Sequence, residues 1–417
     1  MFSSYRLQDF MLYPNIAFKL AMVQPFRWSG TLDVDVNQQT TTRCGGLMES
    51  LLMKVWFVFG AVNLIYQNIG MLTYLLLPQL SEIFDDVEMV AKISETCGIM
   101  GLTMVAMCKM FVLFSHRERI TLLLEELDEI FPREHEQLAT VALYRVHHFA
   151  QSSQRLMRRT TKFFIFAFCF YNSLPIGEIL YELLSPDQEI KYRYQSNTWY
   201  PWQTKDNAKT WWNFITSYVC QVQSSLTGVG FIMAGEFMLC FFITQMQMHF
   251  DYLTNALSSL DAGSVGANEQ LKYLIIYHTK LLRYSKEINE IFNISFLVNF
   301  ITSSIAICMM ACSMVMLSMA HTFKYSVGLL SFLVFTFFIC YNGEQFTEAS
   351  DAIMPSAFYN NWYEGDSAYR RMILFFIMRS TEPNVLRAYK FTTVSMPTFM
   401  AILKISYQLF TFLQAMD

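Results

Sequence analysis

The stretch Trp211–Ile243 reads WWNFITSYVCQVQSSLTGVGFIMAGEFMLCFFI and is apolar over most of its length. A helix of about 20 predominantly apolar residues crosses the ~30 Å hydrocarbon layer of a bilayer. The stretch is continuous and lacks the period-two alternation of a membrane barrel strand. It therefore predicts a transmembrane helix.

Six further stretches, on both sides of this one, are also long enough to cross a bilayer as helices. These spans are predicted at Leu52–Leu77, Val90–Phe114, Phe163–Leu184, Ile291–Met319, Tyr325–Tyr341 and Met396–Leu413. The sixth of the seven spans is short, and Lys404 interrupts the last one. We expect an all-α membrane protein with seven transmembrane helices.

The composition of the chain also favours a membrane protein. Of its 417 residues, 53% are hydrophobic and 15% are charged, whereas soluble domains carry about 25% charged residues. The formal net charge is -4, so the chain has no basic excess that would attract nucleic acid. These values disfavour soluble enzymes, disordered proteins and nucleic-acid-binding proteins.

Motifs that support catalysis or metal binding are missing from the sequence. The nine cysteines form no CxxC pair, and the chain contains no P-loop, nucleophile-elbow or HExxH motif. His135, His147 and His148, near Glu134 and Glu136, match no zinc spacing and are interpreted as part of a solvated cytoplasmic segment. We predict no enzymatic activity, no metal site and no cofactor.

The distribution of Lys and Arg predicts the orientation of the chain. Twenty of these residues lie in the N-terminal segment and in the connections after even-numbered spans, and five lie on the opposite side. Because basic residues concentrate on the cytoplasmic side, we predict a cytoplasmic N-terminus. A metabotropic seven-span receptor has the opposite orientation. A transporter or membrane enzyme would show half-repeats or a midplane cluster of ionisable residues, and the sequence shows neither. Both classes are kept as less favoured alternatives.

The inner connections are predicted to be helical. Apolar residues recur at helical spacing before the fifth span, at Leu271, Leu274, Ile275, Leu281, Leu282, Ile288 and Ile291. Gln245–Leu260 continues the fourth span, and Asp261–Asn268 has the glycines of a turn. We predict a cytoplasmic helical bundle formed by extensions of the fourth, fifth and sixth spans together with Asp366–Ser380. These helices either cover one another within one subunit or mediate assembly.

Polar side chains within the spans are interpreted first as structural. Asn63, Gln67 and Asn68 are expected to form interhelical hydrogen bonds. Glu178 and Glu182 are expected to be solvated at the outer membrane boundary.

Four lysines need separate explanations. Lys54, Lys109 and Lys162 lie near the inner ends of spans and are expected to extend their ammonium groups to the interface. Lys404 lies ~13 Å beyond Ser395 along a helix. A water-filled vestibule at that depth would favour a pore, and a buried ion pair or an extended side chain near the inner surface is the alternative.

The C-terminal region carries a recognisable series of residues. Residues 357–414 read AFYNNWYEGDSAYRRMILFFIMRSTEPNVLRAYKFTTVSMPTFMAILKISYQLFTFLQ. In order, this stretch contains Tyr359, Trp362-Tyr363, Arg370-Arg371, Arg379-Ser380, Pro383, Lys390-Phe391, Ser395, Thr398-Phe399, Lys404 and Ser406-Tyr407. The series resembles the signature region of insect odorant receptors, and so does Thr198-Trp199-Tyr200-Pro201-Trp202. That family has seven spans with the N-terminus inside.

The resemblance implies a subunit of a ligand-gated cation channel in the plasma membrane of olfactory sensory neurons. In such channels an odorant-binding subunit joins a common co-receptor subunit in a heterotetramer around one pore, within membrane lipid. The co-receptor has a much longer insertion between the fourth and fifth spans, so this chain resembles the odorant-tuned subunit. The related taste receptors end in a Thr-Tyr…Gln-Phe motif, from which Ser406-Tyr407 followed by Gln414 departs.

The resemblance also places a site for a small volatile molecule in the outer half of the membrane. The residues carried over by depth and helical face are Val90, Ser94, Cys97, Tyr171, Leu174, Gly177, Tyr181, Trp212, Ile215, Tyr218, Val222, Tyr325, Leu329 and Phe332. Ordinary helix packing is the alternative role for each of them. This set is aromatic and apolar with few hydroxyl groups, as expected of a pocket for a volatile ligand.

The last helix is the predicted pore helix, and Tyr407, Phe410 and Gln414 match the family's constriction positions. The domain organisation expected from these arguments has four parts. They are a cytoplasmic N-terminal segment at residues 1–50, transmembrane helices 1–6 with their inner extensions at 51–343, cytoplasmic anchor helices at 344–394, and the pore-lining helix at 395–417.

Overall fold

The computed structural model describes residues 5–28, 45–76, 87–132, 143–184, 194–202, 210–316 and 319–414. The described chain is almost entirely helical. Its helices are α1 Leu7–Phe10, α2 Leu12–Leu20, α3 Gly45–Leu76, α4 Val87–Ser115, α5 Arg117–Ile130, α6 Val146–Leu184, α7 Trp211–Ser259, α8 Ala267–Met316, α9 Met319–Asp351, α10 Ile353–Phe358, α11 Ser367–Ser380 and α12 Met396–Gln414. A short 3₁₀ helix spans Trp362–Glu364, and the strands β1 Arg387–Ala388 and β2 Thr392–Thr393 form a hairpin.

The predicted all-α class with long apolar helices is confirmed. Six helices among the described residues, α3, α4, α6, α7, α8 and α9, are long and apolar enough to cross a membrane. The seventh predicted span is the 19-residue helix α12. The structure corrects several boundaries: α6 begins at Val146 rather than Phe163, and Met319 begins α9 instead of ending the fifth span.

Helix α7 is the centre of the bundle. Within its most apolar stretch 89% of the residues are buried, compared with 28% for α3 and 22% for α6. Its glycines allow neighbours to approach closely: a Cβ placed on Gly230 would lie 2.8 Å from the Cα of Ala21 at the end of α2. A helix that is apolar on every side is expected to be enclosed by others, as α7 is.

The N-terminal helices are part of the core. Phe10, Phe18 and Trp28 are buried, and the Arg117 guanidinium lies 4.8 Å from the centre of the Phe26 ring. The sequence predicted only a cytoplasmic segment here. The structure shows that α2 packs against the middle of α7 and that α1 packs against α6, so this segment is part of the helix bundle.

The predicted helical bundle beyond the membrane spans forms within the chain. The C-terminal ends of α7 and α9 and the N-terminal end of α8 pack with α10 and α11. The buried Asn360 amide donates hydrogen bonds to the carbonyls of Leu257 and Leu260 at 2.8 and 2.7 Å, and accepts one from the Tyr369 hydroxyl at 3.2 Å. We call this end of the molecule the anchor end, and the opposite end, with residues 194–202, the loop end.

The hairpin connects the anchor bundle to the last helix. Arg387 pairs with Thr393 and Ala388 with Thr392, around a turn in which Tyr389 has a φ of 55°. The segment predicted as anchor helices, residues 344–394, thus also contains this hairpin. The Glu344 carboxylate on α9 accepts a hydrogen bond from the Met396 amide at 3.0 Å, so an anion lies at the positive N-terminal end of α12.

Two aspartates hold the turn between α7 and α8 against the 3₁₀ helix and α11. Asp261 accepts hydrogen bonds from the Asn361 amide at 2.8 Å and the Gly263 amide at 3.1 Å. Asp366 is the N-cap of α11: it accepts from the Tyr369 amide at 2.7 Å, and also from the Asn268 side chain at 2.9 Å. These hydrogen bonds stabilise the charged forms and lower the pKa of both carboxyls.

A lowered folded-state pKa predicts loss of this contribution in acid. The stabilisation is fully present above the ordinary aspartate pKa of about 3.9 and disappears as the pH falls through the lowered folded values. We expect Asp261→Asn/Asp366→Asn to be less stable than wild type at about pH 6, and the difference in melting temperature to shrink towards about pH 3. Glu269→Gln, at an exposed position with no hydrogen bond from a described residue, is the control. A difference in melting temperature independent of pH would contradict the assignment.

Candidate ligand site and last helix

Helices α4, α6 and α9 meet through a polar cluster near the loop end. The Lys324 ammonium forms an ion pair with the Glu95 carboxylate. The Tyr325 hydroxyl donates a hydrogen bond to the same carboxylate at 3.0 Å, and the Tyr171 hydroxyl donates one to the Lys324 carbonyl at 2.9 Å. The cluster brings Tyr171 and Tyr325, two of the predicted ligand residues, to one place.

Methionine and glycine allow the helices to approach closely at this cluster. A Cβ on Gly328 of α9 would lie 3.4 Å from the sulfur of Met310 on α8 and would collide with the Tyr171 hydroxyl. A Cβ on Gly98 of α4 would collide with the Met310 methyl group. Four helices, α4, α6, α8 and α9, therefore surround a flexible thioether side chain and two tyrosines. A thioether can repack around molecules of different shape.

A proline loosens α6 beside the cluster. Pro175 has no backbone N–H and cannot bond the Tyr171 carbonyl four residues earlier. One residue along, the Asn172 carbonyl accepts a hydrogen bond from the Tyr218 hydroxyl of α7 at 2.5 Å. The tyrosine thus connects α7 to α6 one residue away from the interrupted position. Tyr218 stacks on Phe214, with ring centres 5.6 Å apart.

The other predicted ligand residues divide by exposure. Ser94 and Phe332 are buried, and Cys97, Leu174, Val222 and Leu329 are half-buried. Gly177, Tyr181, Trp212 and Ile215 are exposed, and a Cβ on Gly177 would meet nothing within 4 Å. The side chain of Val90 lies outside the described residues. Six members of the set are therefore buried or half-buried, whereas four members on α6 and α7 lie on the surface.

Sequence reasoning missed Glu95, Lys324 and Met310 at this place. Glu95 is an acidic residue in an apolar run, and Lys324 is the lone basic residue in its connection. A carboxylate within a span needs a cationic partner at the same depth. That signal indicates that Glu95 needs a cationic partner, and the structure identifies Lys324 as that partner.

The segment 194–202 covers the loop end of α3 and α7. The Gln67 amide donates to the Ser196 hydroxyl at 3.0 Å, and the Gln221 amide donates to the Ser196 carbonyl at 3.0 Å. Tyr200 stacks between Tyr66 and Trp202, with ring centres 5.6 and 4.9 Å apart. The segment is therefore fixed to both helices.

Two expectations about polar groups in the spans have different outcomes. The Asn68 side-chain Oδ1 accepts a hydrogen bond from the Thr103 hydroxyl of α4 at 2.9 Å, which confirms the interhelical bonding expected of Asn68. Gln67 instead bonds the 194–202 segment. Glu182 was expected to be solvated, but only 8% of it is exposed.

Lys109 does not extend to the interface as predicted. It is 3% exposed and forms an ion pair with Glu236 of α7, which is fully buried. The Lys109 ammonium also donates to the Ser295 hydroxyl of α8 at 3.2 Å and lies 5.4 Å from the centre of the Phe335 ring of α9. One cation thus contacts three neighbouring helices in the middle of the bundle. Ionisable residues do meet inside the spans, contrary to the expectation from sequence.

The last helix has one packed face and one free face. Phe399, Ile402, Leu403 and Ser406 lie against the core, and the Ser406 hydroxyl donates to the Ser304 carbonyl of α8 at 3.0 Å. The opposite face exposes Met400, Lys404 and Tyr407.

Two of the predicted pore residues can be placed on this helix. Tyr407 is 66% exposed, and Phe410 is half-buried at the edge of the packed face. The side chain of Gln414 lies outside the described residues. Lys404 is exposed and forms no ion pair with any residue in the described ranges, so a buried pair within one chain does not explain it.

A family model described as "7tm Odorant receptor" matches residues 90–407, which include every helix that contributes to the cluster and most of α12. This chain belongs to the odorant receptor family. Putative odorant receptor 69a, isoform B, of Drosophila melanogaster is 37% identical to this receptor over 97% of this chain and 98% of the relative. Odorant receptor 67c of the same species is 25% identical over 95% and 96% of the two chains.

Solved structures support the fold of the receptor. The insect olfactory receptor OR5 from Machilis hrabei matches it with a TM-score of 0.74 at 14% identity, over 99% of both chains. The complex of that protein with eugenol matches with a TM-score of 0.73 at 12% identity over the same shares. At these identities the likeness shows a shared fold.

Proposed function

We propose that this receptor is the odorant-tuned subunit of a ligand-gated, non-selective cation channel. It binds a small volatile molecule among the helices of the loop end and opens a pore shared with a co-receptor subunit. The observation that carries the proposal is the meeting of four helices at Tyr171, Tyr325 and Met310 in a member of the odorant receptor family. A ligand that wedges between helices at such a point binds one arrangement of them more tightly, and so shifts the equilibrium between closed and open states.

The cluster suggests how discrimination arises. Most of the surrounding side chains are aromatic or aliphatic, so burial of the ligand's apolar surface supplies most of the affinity. The polar groups of Glu95, Lys324 and the two tyrosines satisfy one another. A ligand with one hydroxyl or carbonyl group can exchange hydrogen bonds with this network, and one without such a group loses that contribution.

The free face of α12 is consistent with a pore shared among subunits. Met400, Lys404 and Tyr407 are exposed in one chain, and a ring of such helices would turn this face to a common axis. Lys404 would then reach water in the conduction path, and Tyr407, Phe410 and Gln414 would form a narrow constriction that gates by excluding water.

The hydroxyl of Tyr325 provides a test of the ligand site. Hydrogen bonds to charged groups contribute about 1.5–3 kcal/mol, and Tyr325→Phe removes the one donated to Glu95. We expect the half-maximal odorant concentration to shift by roughly tenfold, since the ion pair is reoriented beside the ligand. Tyr359→Phe, at a position 83% exposed, is the matched control. Superimposable concentration–response curves for Tyr325→Phe and wild type would remove the cluster from the ligand site.

Orientation separates the channel proposal from a metabotropic seven-span receptor. We place the N-terminus and the anchor end in the cytoplasm of the sensory neuron, on the basis of the excess of Lys and Arg there. An epitope tag on the N-terminus is expected to bind antibody only after the cells are permeabilised. A tag on the C-terminus is expected to bind antibody on intact cells. Labelling of the N-terminal tag on intact cells would contradict the proposed orientation.

Whole-cell recording tests the proposed function itself. Cells expressing this receptor alone, a co-receptor subunit alone, or both are exposed to a panel of volatile alcohols, esters, aldehydes and terpenes. We expect an odorant-evoked cation current that appears only in the mixture and begins without a second messenger in excised patches. A response that requires added GTP would instead assign the receptor to the metabotropic class.

A further inference from the structure

We propose that the receptor binds the phosphorylated headgroup of an anionic phospholipid in a cavity between α6, α7 and α9, with the phosphate held by Arg155 and Arg159. The cavity has a volume of about 570 Å³ and lies near the anchor end. The proposal rests on the proposed orientation, which places the anchor end at the cytoplasmic leaflet.

Polar and charged side chains line much of the cavity. Its lining residues farthest from the anchor end are Arg159 on α6, Cys240 on α7 and Phe337 on α9. At the anchor end it is lined by polar side chains, among them His148, Gln247, Asp251, Gln345 and Glu348. A charged headgroup fits this lining, with its phosphate at the arginines on α6 and its other polar groups towards the anchor end.

The arginines are available for an anion, and of the two carboxylates in the lining Asp251 lies near a cation and Glu348 beside a neutral amide. Arg155 and Arg159 are exposed and form no ion pair with any residue in the described ranges. Asp251 lies 3.6 Å from the Arg145 guanidinium, and Glu348 accepts a hydrogen bond from the Gln345 amide at 2.8 Å. Two guanidinium groups one helical turn apart can bind phosphate oxygens in bidentate fashion.

The depth of the cavity fits a lipid headgroup. The predicted third span begins at Phe163, shortly beyond Arg159, and the predicted sixth span ends at Tyr341, which lines the cavity. The arginines therefore lie at the boundary where lipid phosphates are found. Beyond them α6 exposes Ile165 and Phe166, which offers an apolar surface to acyl chains. Basic residues at the cytoplasmic leaflet are attracted to anionic lipids.

Binding of short-chain lipids to the purified full-length receptor with its co-receptor, in detergent, tests the proposal without any current. The probes are dioctanoyl phosphatidylinositol bisphosphate, dioctanoyl phosphatidylcholine and inositol trisphosphate. We expect the phosphoinositide to bind and its affinity to fall by roughly tenfold or more in Arg155→Gln/Arg159→Gln. The control Lys272→Gln/Lys280→Gln removes the same charge from exposed positions outside the cavity, and we expect unchanged affinity. Ala349→Trp, which fills the cavity, is expected to weaken binding with all arginines present.

Three outcomes would overturn the proposal. Equal affinity of wild type and the arginine variant would exclude the arginines, and equal affinity for phosphatidylcholine would exclude recognition of an anionic headgroup. Inositol trisphosphate binding as tightly as the lipid, with the same dependence on arginine, would assign the site to a soluble phosphate compound. A receptor that binds the lipid but carries no odorant-evoked current would leave this site in place and contradict only the proposed function.

Discussion

Lys109→Met is expected to lower the free energy of unfolding by about 3–5 kcal/mol, the usual cost of removing one partner of a buried ion pair. The variant leaves the Glu236 carboxylate fully buried with no cation beside it. It also removes the donor to Ser295 and the cation above the Phe335 ring. Because Lys109 connects α4 to α7, α8 and α9, the loss affects the centre of the bundle.

The magnitude is checked by thermal unfolding of the detergent-purified receptor, followed by size-exclusion chromatography. Glu236→Leu should be about as destabilising as Lys109→Met, since it leaves the ammonium unpaired. The double variant Lys109→Met/Glu236→Leu should recover most of the loss, because two apolar side chains of similar volume replace the pair. Single variants within about 0.5 kcal/mol of wild type, the range of neutral surface changes, would show that the pair does not hold the helices together.

Gly343→Ala is expected to destabilise the receptor by about 3 kcal/mol, at the upper end of overpacking effects. A Cβ on Gly343 would collide with the Val394 carbonyl oxygen and would lie 2.7 Å from a methyl group of the same residue. A backbone atom cannot rotate away, so the hairpin would have to move off α9. That movement would also break the hydrogen bond that the Met396 amide donates to the Glu344 carboxylate.

A matched glycine separates this clash from the general effect of alanine in a helix. Gly101 also lies inside a helix, and its Cβ would sit 3.7 Å from Thr302, an ordinary contact. Gly101→Ala should therefore be neutral or more stable by up to about 1 kcal/mol, owing to the higher helix propensity of alanine. Equal melting temperatures for Gly343→Ala and Gly101→Ala would contradict the packing of the hairpin on α9.

The parts of the fold that depend on short stretches of sequence, namely apolar length and helical spacing, could be predicted. Apolar length located six of the spans and the last helix, because crossing a bilayer requires a continuous run. Helical spacing of Leu271, Leu281 and Ile288 predicted the anchor helices, and these residues are buried. The hairpin at Arg387–Thr393 was not predictable in this way: its strands have two residues each, too few to show alternation.

The sequence allowed candidate residues to be chosen by their depth in the membrane, but not by the face of the helix on which they lie. Tyr171 and Tyr325 were chosen by depth, and the structure brings them together through Glu95 and Lys324. Tyr181 and Trp212 were chosen in the same way, yet they are 70% and 64% exposed. In helices that are apolar on every side the sequence carries no stripe to mark the inward face. Only tertiary packing distinguishes the faces.

The central proposal is that this receptor binds an odorant and that its last helix lines the pore. Thiol modification during odorant-evoked current tests this proposal most directly. Tyr407→Cys and Ser406→Cys are each co-expressed with a co-receptor subunit. Wild type is the control for modification of native thiols, because its Cys169 is exposed. Tyr407 is 66% exposed on the free face of α12, whereas Ser406 is 2% exposed against α8. A charged aqueous thiol reagent should change the current irreversibly in Tyr407→Cys when odorant is present, and should leave Ser406→Cys and wild type unchanged. Modification of neither variant in open channels would contradict a pore lined by this helix.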